Sequence, residues 1–227
     1  MEGISVVIAA YVSDDYTNCA RFLRQALGSV LGQDPAPLEI FVVYGPSPAG
    51  LEALIGEYRS AVRFVHEPRP GDAPARNLGI RMSSGSMIAS VDSDDYWAKN
   101  KLQRQMRAFA DDPWLEAVFT HAHEFFEPAS ADEPLRMSDV LPAHIPASML
   151  IKRESFLRVG YYDESYRIGG AVDWYVRAQE SGLRAITLPD VLLFGRLHSH
   201  NAGRRMEASK PEYLHVLKGS LDRKRAK

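Results

Sequence analysis

The chain has a single cysteine, Cys19, so it can carry neither a disulfide framework nor a thiolate zinc site. It has almost no net charge. Twenty-seven basic side chains against 29 acidic ones leave a formal −2, too little to gather nucleic acid or anionic lipid over the whole molecule. No apolar run approaches the ~20 residues of a membrane-spanning helix. The first residues show neither the basic start nor the cleavage pattern of a secretory leader. Internal repeats and low-complexity tracts are also missing. The 45% hydrophobic content and mean hydropathy of −0.24 are those of a soluble globular protein, for which a cytoplasmic location is expected.

Most of the chain reads as alternating strands and helices. Ile4–Ala10 is a short β-branched run, as expected of a strand buried on both faces. Leu23, Ala26, Leu27, Val30 and Leu31 then recur at helical spacing. Strands over Leu38–Tyr44, Val62–His66 and Met87–Val91 alternate with helices over about Gly50–Tyr58, Asp72–Met82 and Lys99–Ala110, with Asp72 as a cap and Pro74 in the first turn. This alternation predicts an α/β fold with a mostly parallel sheet and helices on both faces. The second half is less regular. It reads as a strand over Ala117–Phe126, a proline-bearing loop over Pro128–Pro146, a strand over Ser148–Lys152 and a helix over Arg153–Val159. A helix over Asp173–Ser181 and two short strands within Arg184–Leu188 and Val191–Leu197 complete it. Residues 201–227 form a basic tail, which suits acidic lipid head groups or a partner protein and equally reads as a solvated, frayed helix.

Asp92-Ser93-Asp94-Asp95 follows the fourth strand directly and precedes Tyr96-Trp97. Three carboxylates leaving a buried strand together repel one another and call for a counter-charge. Oxygen ligands suit Mn²⁺ or Mg²⁺, with phosphate oxygens on the far side, and ligands of open α/β sheets bind beyond the carboxyl ends of the strands. The competing reading is a solvated acidic turn that starts the next helix. His121 and His123 share one strand face, but no third ligand stands at a recognisable spacing.

In order, these segments resemble an inverting GT-A-type glycosyltransferase of family 2 over roughly residues 4 to 200. Phe22-Leu23-Arg24-Gln25-Ala26-Leu27-Gly28-Ser29-Val30-Leu31-Gly32-Gln33 resembles the family's first helix, Leu38–Val43 its second strand, and Ala75-Arg76-Asn77-Leu78-Gly79-Ile80 the helix before its metal strand. Asp92-Ser93-Asp94 then matches the family's DXD motif, with Lys101-Leu102-Gln103-Arg104-Gln105 beyond it. The resemblance implies one domain, with residues 1–97 binding a nucleotide-sugar, a UDP-sugar above all, and residues 98–200 binding a saccharide, lipid-carrier or peptide acceptor. It implies Asp94, Asp92 and His198 at the metal. Ala10, Tyr11, Tyr44, Arg76, Asn77, Asp92, Ser93 and Arg196 would line the donor site. Asp173 would be the general base, and Trp97 and Trp174 the aromatic faces for a sugar. For Asp173 the residue-level alternative is a helix cap, and for each tryptophan it is the core.

Several positions depart from the family. Tyr44-Gly45 stands where two aspartates end the second strand, and a tyrosine accepts the imide N–H of uracil poorly. Ala9-Ala10-Tyr11-Val12 replaces a Pro-x-Tyr-Asn pattern, leaving Asp14 or Asp15 as substitutes for base recognition. Val172 stands where relatives have a glutamate before the base. An active enzyme, a sugar-binding protein that has lost transfer, and a phosphatase using Asp92 as nucleophile are the readings that remain.

Overall fold

The computed structural model describes residues 2–10, 16–45, 51–127, 136–197 and 206–225. β1 (Ile4–Ala10) is buried at every position, so both of its faces must be covered. It lies between β2 (Glu39–Tyr44) and β4 (Met87–Asp92), parallel to both, and β3 (Arg63–His66) runs parallel beside β2. Parallel neighbours need crossovers, which α1 (Tyr16–Leu31), α2 (Leu51–Tyr58) and α3 (Asp72–Met82) supply. The period-2 pattern of β1 divides the core. Val6 and Ile8 pack with Leu23 and Leu27 of α1 on one face, while Val7 and Ala9 pack with Ala73 and Ile80 of α3 on the other.

α3 is held unusually close to the sheet. A Cβ on Gly79 would lie 2.5 Å from Cγ1 of Val7 and 3.1 Å from Cγ2 of Val43, so only glycine fits there. The helix begins differently from expectation. Asp72 is its first residue, not its cap; the cap position belongs to Gly71, at a φ of 112° that side chains rarely adopt.

The second half continues the same sheet. After β5 (Tyr96–Trp97) and α4 (Lys101–Asp111) come β6 (Ala117–Phe126), β7 (Arg136–Ala143), a 3₁₀ turn at Pro146–Ser148, β8 (Leu150–Lys152) and α5 (Arg153–Val159). α6 (Gly170–Glu180), β9 (Ala185–Leu197) and α7 (Met206–Arg225) complete the chain. The strand order is β3-β2-β1-β4-β8-β6-β9-β5, with β7 on β6. β8 runs antiparallel to both β4 and β6, so the parallel half passes into a mixed half without a break.

Four local expectations change. Residues 136–143, expected within a loop, pair with β6; all but Ala143 stay out of the core, so the strand leaves no apolar alternation to read. The two last strands are one, because Pro189 and Asp190 fall in a bulge between the pairs Thr120–Leu188 and His121–Val191. α6 starts at Gly170, which puts Asp173 inside its first turn. The described part of the basic tail is a docked helix, α7, in contact with α6.

Candidate active site

β4 delivers the acidic loop to the C-terminal edge of the parallel strands. The loop is pinned by its own backbone: Ser93 N–H donates to the carbonyl of Ala9 at 3.3 Å, and Asp95 N–H to that of Asp92 at 3.1 Å. Arg76, on α3, pairs with Asp92 from one side and is itself 5% exposed. Burial pushes the Asp92 carboxyl up; Arg76 opposes this, and the negative charges of Asp72 and Asp94 add to it. Burial, then Asp94 and Asp92, push Asp95 well above the usual carboxylate range. The carboxylates of the loop thus raise one another, and while Arg76 Nη2 pairs with Asp92, its buried Nη1 has no hydrogen-bond partner among the described residues.

Arg196, on β9, lies beneath the loop. Its backbone N–H donates to Asp95 Oδ1 and its Nε to the carbonyl of Asp94, both at 2.9 Å. Its Nη atoms pair with Glu127 and Gln25, and the rings of Phe22 and Phe125 flank the guanidinium at 4.2 and 4.7 Å. At 3% exposure it braces the loop from within the protein, which is not the open diphosphate contact that the sequence suggests.

An open pocket of about 320 Å³ lies beside the loop, lined by Ala9, Ala10, Gly45, Glu67, Arg69, Pro70, Gly71, Asp72 and Ala75. Tyr44, at its margin on β2, packs on the His66 ring at a centroid distance of 5.4 Å. The half-buried Ser93 stands with the acidic loop. Glu67 and Arg69 were not singled out from the sequence, and Asp72 only as a helix cap. The signal for them was positional: the Pro68-Arg69-Pro70-Gly71 loop follows a parallel strand, where the crevice rule puts ligands. Glu67 accepts from Arg69 Nε at 2.9 Å and Nη2 at 2.8 Å, and this pairing holds its carboxyl below the usual range against the effect of burial. Asn77 faces inward instead of lining the pocket. Its Nδ2 donates to the carbonyl of Tyr162 and to Glu164 Oε1, both at 2.9 Å, and its Oδ1 accepts from Tyr162 N–H at 3.1 Å, stapling α3 to the second half.

The start of α6 lies close to the start of α3, with a Cβ on Gly170 falling 3.7 Å from that of Ala73. Asp173 sits one turn into α6 and is 3% exposed. Its Oδ2 accepts from Arg177 Nε at 2.7 Å, and its Oδ1 lies 3.8 Å from Arg223 Nη1 of α7. Neither Trp97 nor Trp174 offers its face to solvent. Trp97 is 3% exposed, and its indole N–H donates to the carbonyl of Ala147; the Lys101 ammonium lies over its ring at 4.1 Å. Trp174 is 2% exposed, stacked on Phe156 and bonded to the carbonyl of Gly160, and it lines a second, shallow depression. Both are core side chains, so the acceptor-stacking role expected of them is replaced by packing.

Among the described residues no three His, Cys, Asp or Glu side chains form a ready metal cluster. Asp92 and Asp94 offer two carboxylates, and the raised Asp92 and Asp95 are what a cation between them would relieve. Tyr11 and His198 lie outside the described residues, as do Asp14 and Asp15. His123 Nε2 is 2.8 Å from the carbonyl of Ser138, a contact that needs no metal.

The family model described as glycosyl transferase family 2 matches residues 5–169. An uncharacterized glycosyltransferase of Rickettsia bellii is 32% identical over 120 residues, 52% of this chain and 16% of the relative. Escherichia coli WfaP, described as a UDP-Glc:alpha-D-GlcNAc-diphosphoundecaprenol beta-1,3-glucosyltransferase, is 26% identical over 56% of this chain and 48% of its own length. The chain thus spans less than half of either relative. Among solved structures, S. aureus TarS 1-349 in complex with UDP-GlcNAc superposes with a TM-score of 0.67 at 17% identity, covering 88% of this chain and 60% of that one. The Pyrobaculum calidifontis mannosyltransferase PcManGT, in complex with GDP-Man and Mn²⁺, gives a TM-score of 0.64 at 22% identity, covering 88% and 59%. These likenesses establish the fold.

Proposed function

The chain belongs to glycosyl transferase family 2, and from that premise we propose that it moves a sugar from a nucleotide-diphosphate donor to an acceptor hydroxyl with inversion. The observation that carries this is the acidic loop at the edge of β4, where three carboxylates crowd together and Asp92 and Asp95 are pushed up by burial and mutual repulsion, beside an Arg76 whose Nη1 has no hydrogen-bond partner among the described residues. Asp92 and Asp94 would hold Mn²⁺ or Mg²⁺, whose charge offsets that growing on the departing diphosphate. Arg76 Nη1 donates to a phosphate oxygen. Ala10, Ser93 and the Tyr44–His66 pair line the rest of the donor site, with the tyrosine ring as a face for the base where relatives use a carboxylate. The acceptor oxygen attacks the anomeric carbon as the bond to the diphosphate breaks on the opposite side. Its proton passes to Asp173 Oδ1, the oxygen left by the Arg177 bond. TarS and PcManGT carry UDP and GDP sugars respectively, so both nucleotides head the donor list.

A second reading is a donor-binding protein that does not transfer. It is favoured by the burial of Asp173 and its pairing with two arginines.

The test is nucleotide release from a panel of nucleotide-sugars with Mn²⁺. Asp94→Asn is expected to lower turnover by roughly 10²- to 10³-fold, and Asp173→Asn by roughly 10²- to 10⁴-fold with donor binding retained. Binding of a donor without turnover would select the second reading. Absence of metal-dependent binding to any donor would remove both.

A further inference from the structure

α7 is fastened along one side only. The Glu212 carboxylate accepts the backbone N–H groups of Arg167, Ile168 and Gly169 at 3.2, 2.8 and 2.8 Å. Val216 is 1% exposed, the Ser220 hydroxyl donates to Glu180, and Arg223 Nε donates to the same carboxylate at 2.6 Å. Spacings of four, four and three put these residues on one stripe, which fixes the rotation of the helix about its axis.

The opposite stripe is apolar and uncovered. Leu214, Leu217 and Leu221 recur at i, i+3 and i+7 and are 66%, 59% and 55% exposed. Lys218, Lys224 and Arg225 are exposed as well. At about 100° per residue they fall within roughly 70° of the leucine line, to both sides of it. Asp222 is the one exposed acid among the described α7 side chains, and it lies roughly 110° away. This concentration of positive charge is local, since the chain as a whole carries −2.

We propose that this face of α7 lies on an anionic lipid surface, with the three leucines entering the acyl boundary and the basic residues meeting headgroup phosphates. Among the described side chains, a leucine row bordered by cations and free of acids is complementary to such an interface. It is poorly complementary to itself, because a two-fold pairing of α7 helices would set cation against cation. The inference goes beyond the transfer reaction and does not depend on it.

Vesicle co-sedimentation of the purified chain tests it. Phosphatidylcholine vesicles with about 30% phosphatidylglycerol should bind at least about tenfold more protein than phosphatidylcholine alone, and about 0.5 M salt should reverse the difference. The Leu214→Ser/Leu217→Ser/Leu221→Ser variant should lose vesicle binding while keeping its melting temperature close to that of wild type, because these side chains are more than half exposed. Lys218→Glu/Lys224→Glu/Arg225→Glu should weaken binding by more than about tenfold. Equal binding to neutral and anionic vesicles, or wild-type binding by the serine variant, would overturn the proposal. A dimer in solution that the serine variant dissolves would overturn it too, by giving the face to a second copy.

Discussion

Glu116 stands just before β6 and joins three segments. Oε1 accepts from Arg158 Nη1 at 2.7 Å and from the Ser155 hydroxyl at 3.2 Å, and Oε2 from the backbone N–H of Arg184 at 2.9 Å. The Arg158 bond leads in holding its carboxyl down to about 2, against the effect of burial. A carboxyl depressed in the folded state stabilises the fold above its unfolded value of about 4.3, and that contribution drains away as pH falls toward 2. Glu116→Gln should therefore cost about 1–3 kcal/mol in urea melts at pH 7. The gap to wild type should narrow steadily below pH 4; a gap independent of pH would refute the assignment. Single residues were also where the sequence misled most. Asn77 and Arg196 carry donor groups suited to phosphate, and nothing in a linear pattern says that Tyr162, Glu164, Glu127 and Gln25 will claim them first. Trp97 and Trp174 went the same way, because an aromatic beside a charged motif has no sequence mark that separates a sugar platform from core.

At the scale of elements, α3 sets the position of Arg76 and is itself set by Gly79, one turn later. Gly79→Ala must push the helix off Val7, since the new methyl would start 2.5 Å from Cγ1. We expect a loss of about 1–3 kcal/mol together with weaker donor binding, as Arg76 moves relative to Asp92. Adding Val7→Ala should recover part of both in a double-mutant cycle; strict additivity would show that the close approach does not matter. Elements buried on both faces or strongly periodic were legible in the sequence: the limits of β6 and α5 match the expected ones. β7 was not, because an exposed edge strand takes its conformation from the partner's backbone and shows no side-chain pattern. α6 began early because its first turn, Gly170-Ala171-Val172, lacks the polar cap that marks most helix starts.

For the whole molecule, the decisive joint is between β4 and β8. Met87 pairs with Lys152 and Ala89 with Leu150, and Arg153 reaches back to the carbonyl of Ile80 at 3.3 Å. The parallel half and the mixed half are thus one sheet and should melt as one unit. Calorimetry should give a single transition whose calorimetric and van't Hoff enthalpies agree, and two resolved transitions would refute this.

The clasp around Arg196 has a kinetic consequence. Its partners Gln25, Asp94 and Glu127 lie 171, 102 and 69 residues away in sequence, so every loop closure it needs is long-range. The acidic residues exist as soon as β4 does, but their geometry is complete only when β9 has arrived. In refolding, competence to bind metal and nucleotide should therefore emerge with the slowest phase, after the signal of helix formation has levelled off. If binding appeared together with the helices, the loop would be taking shape without its brace.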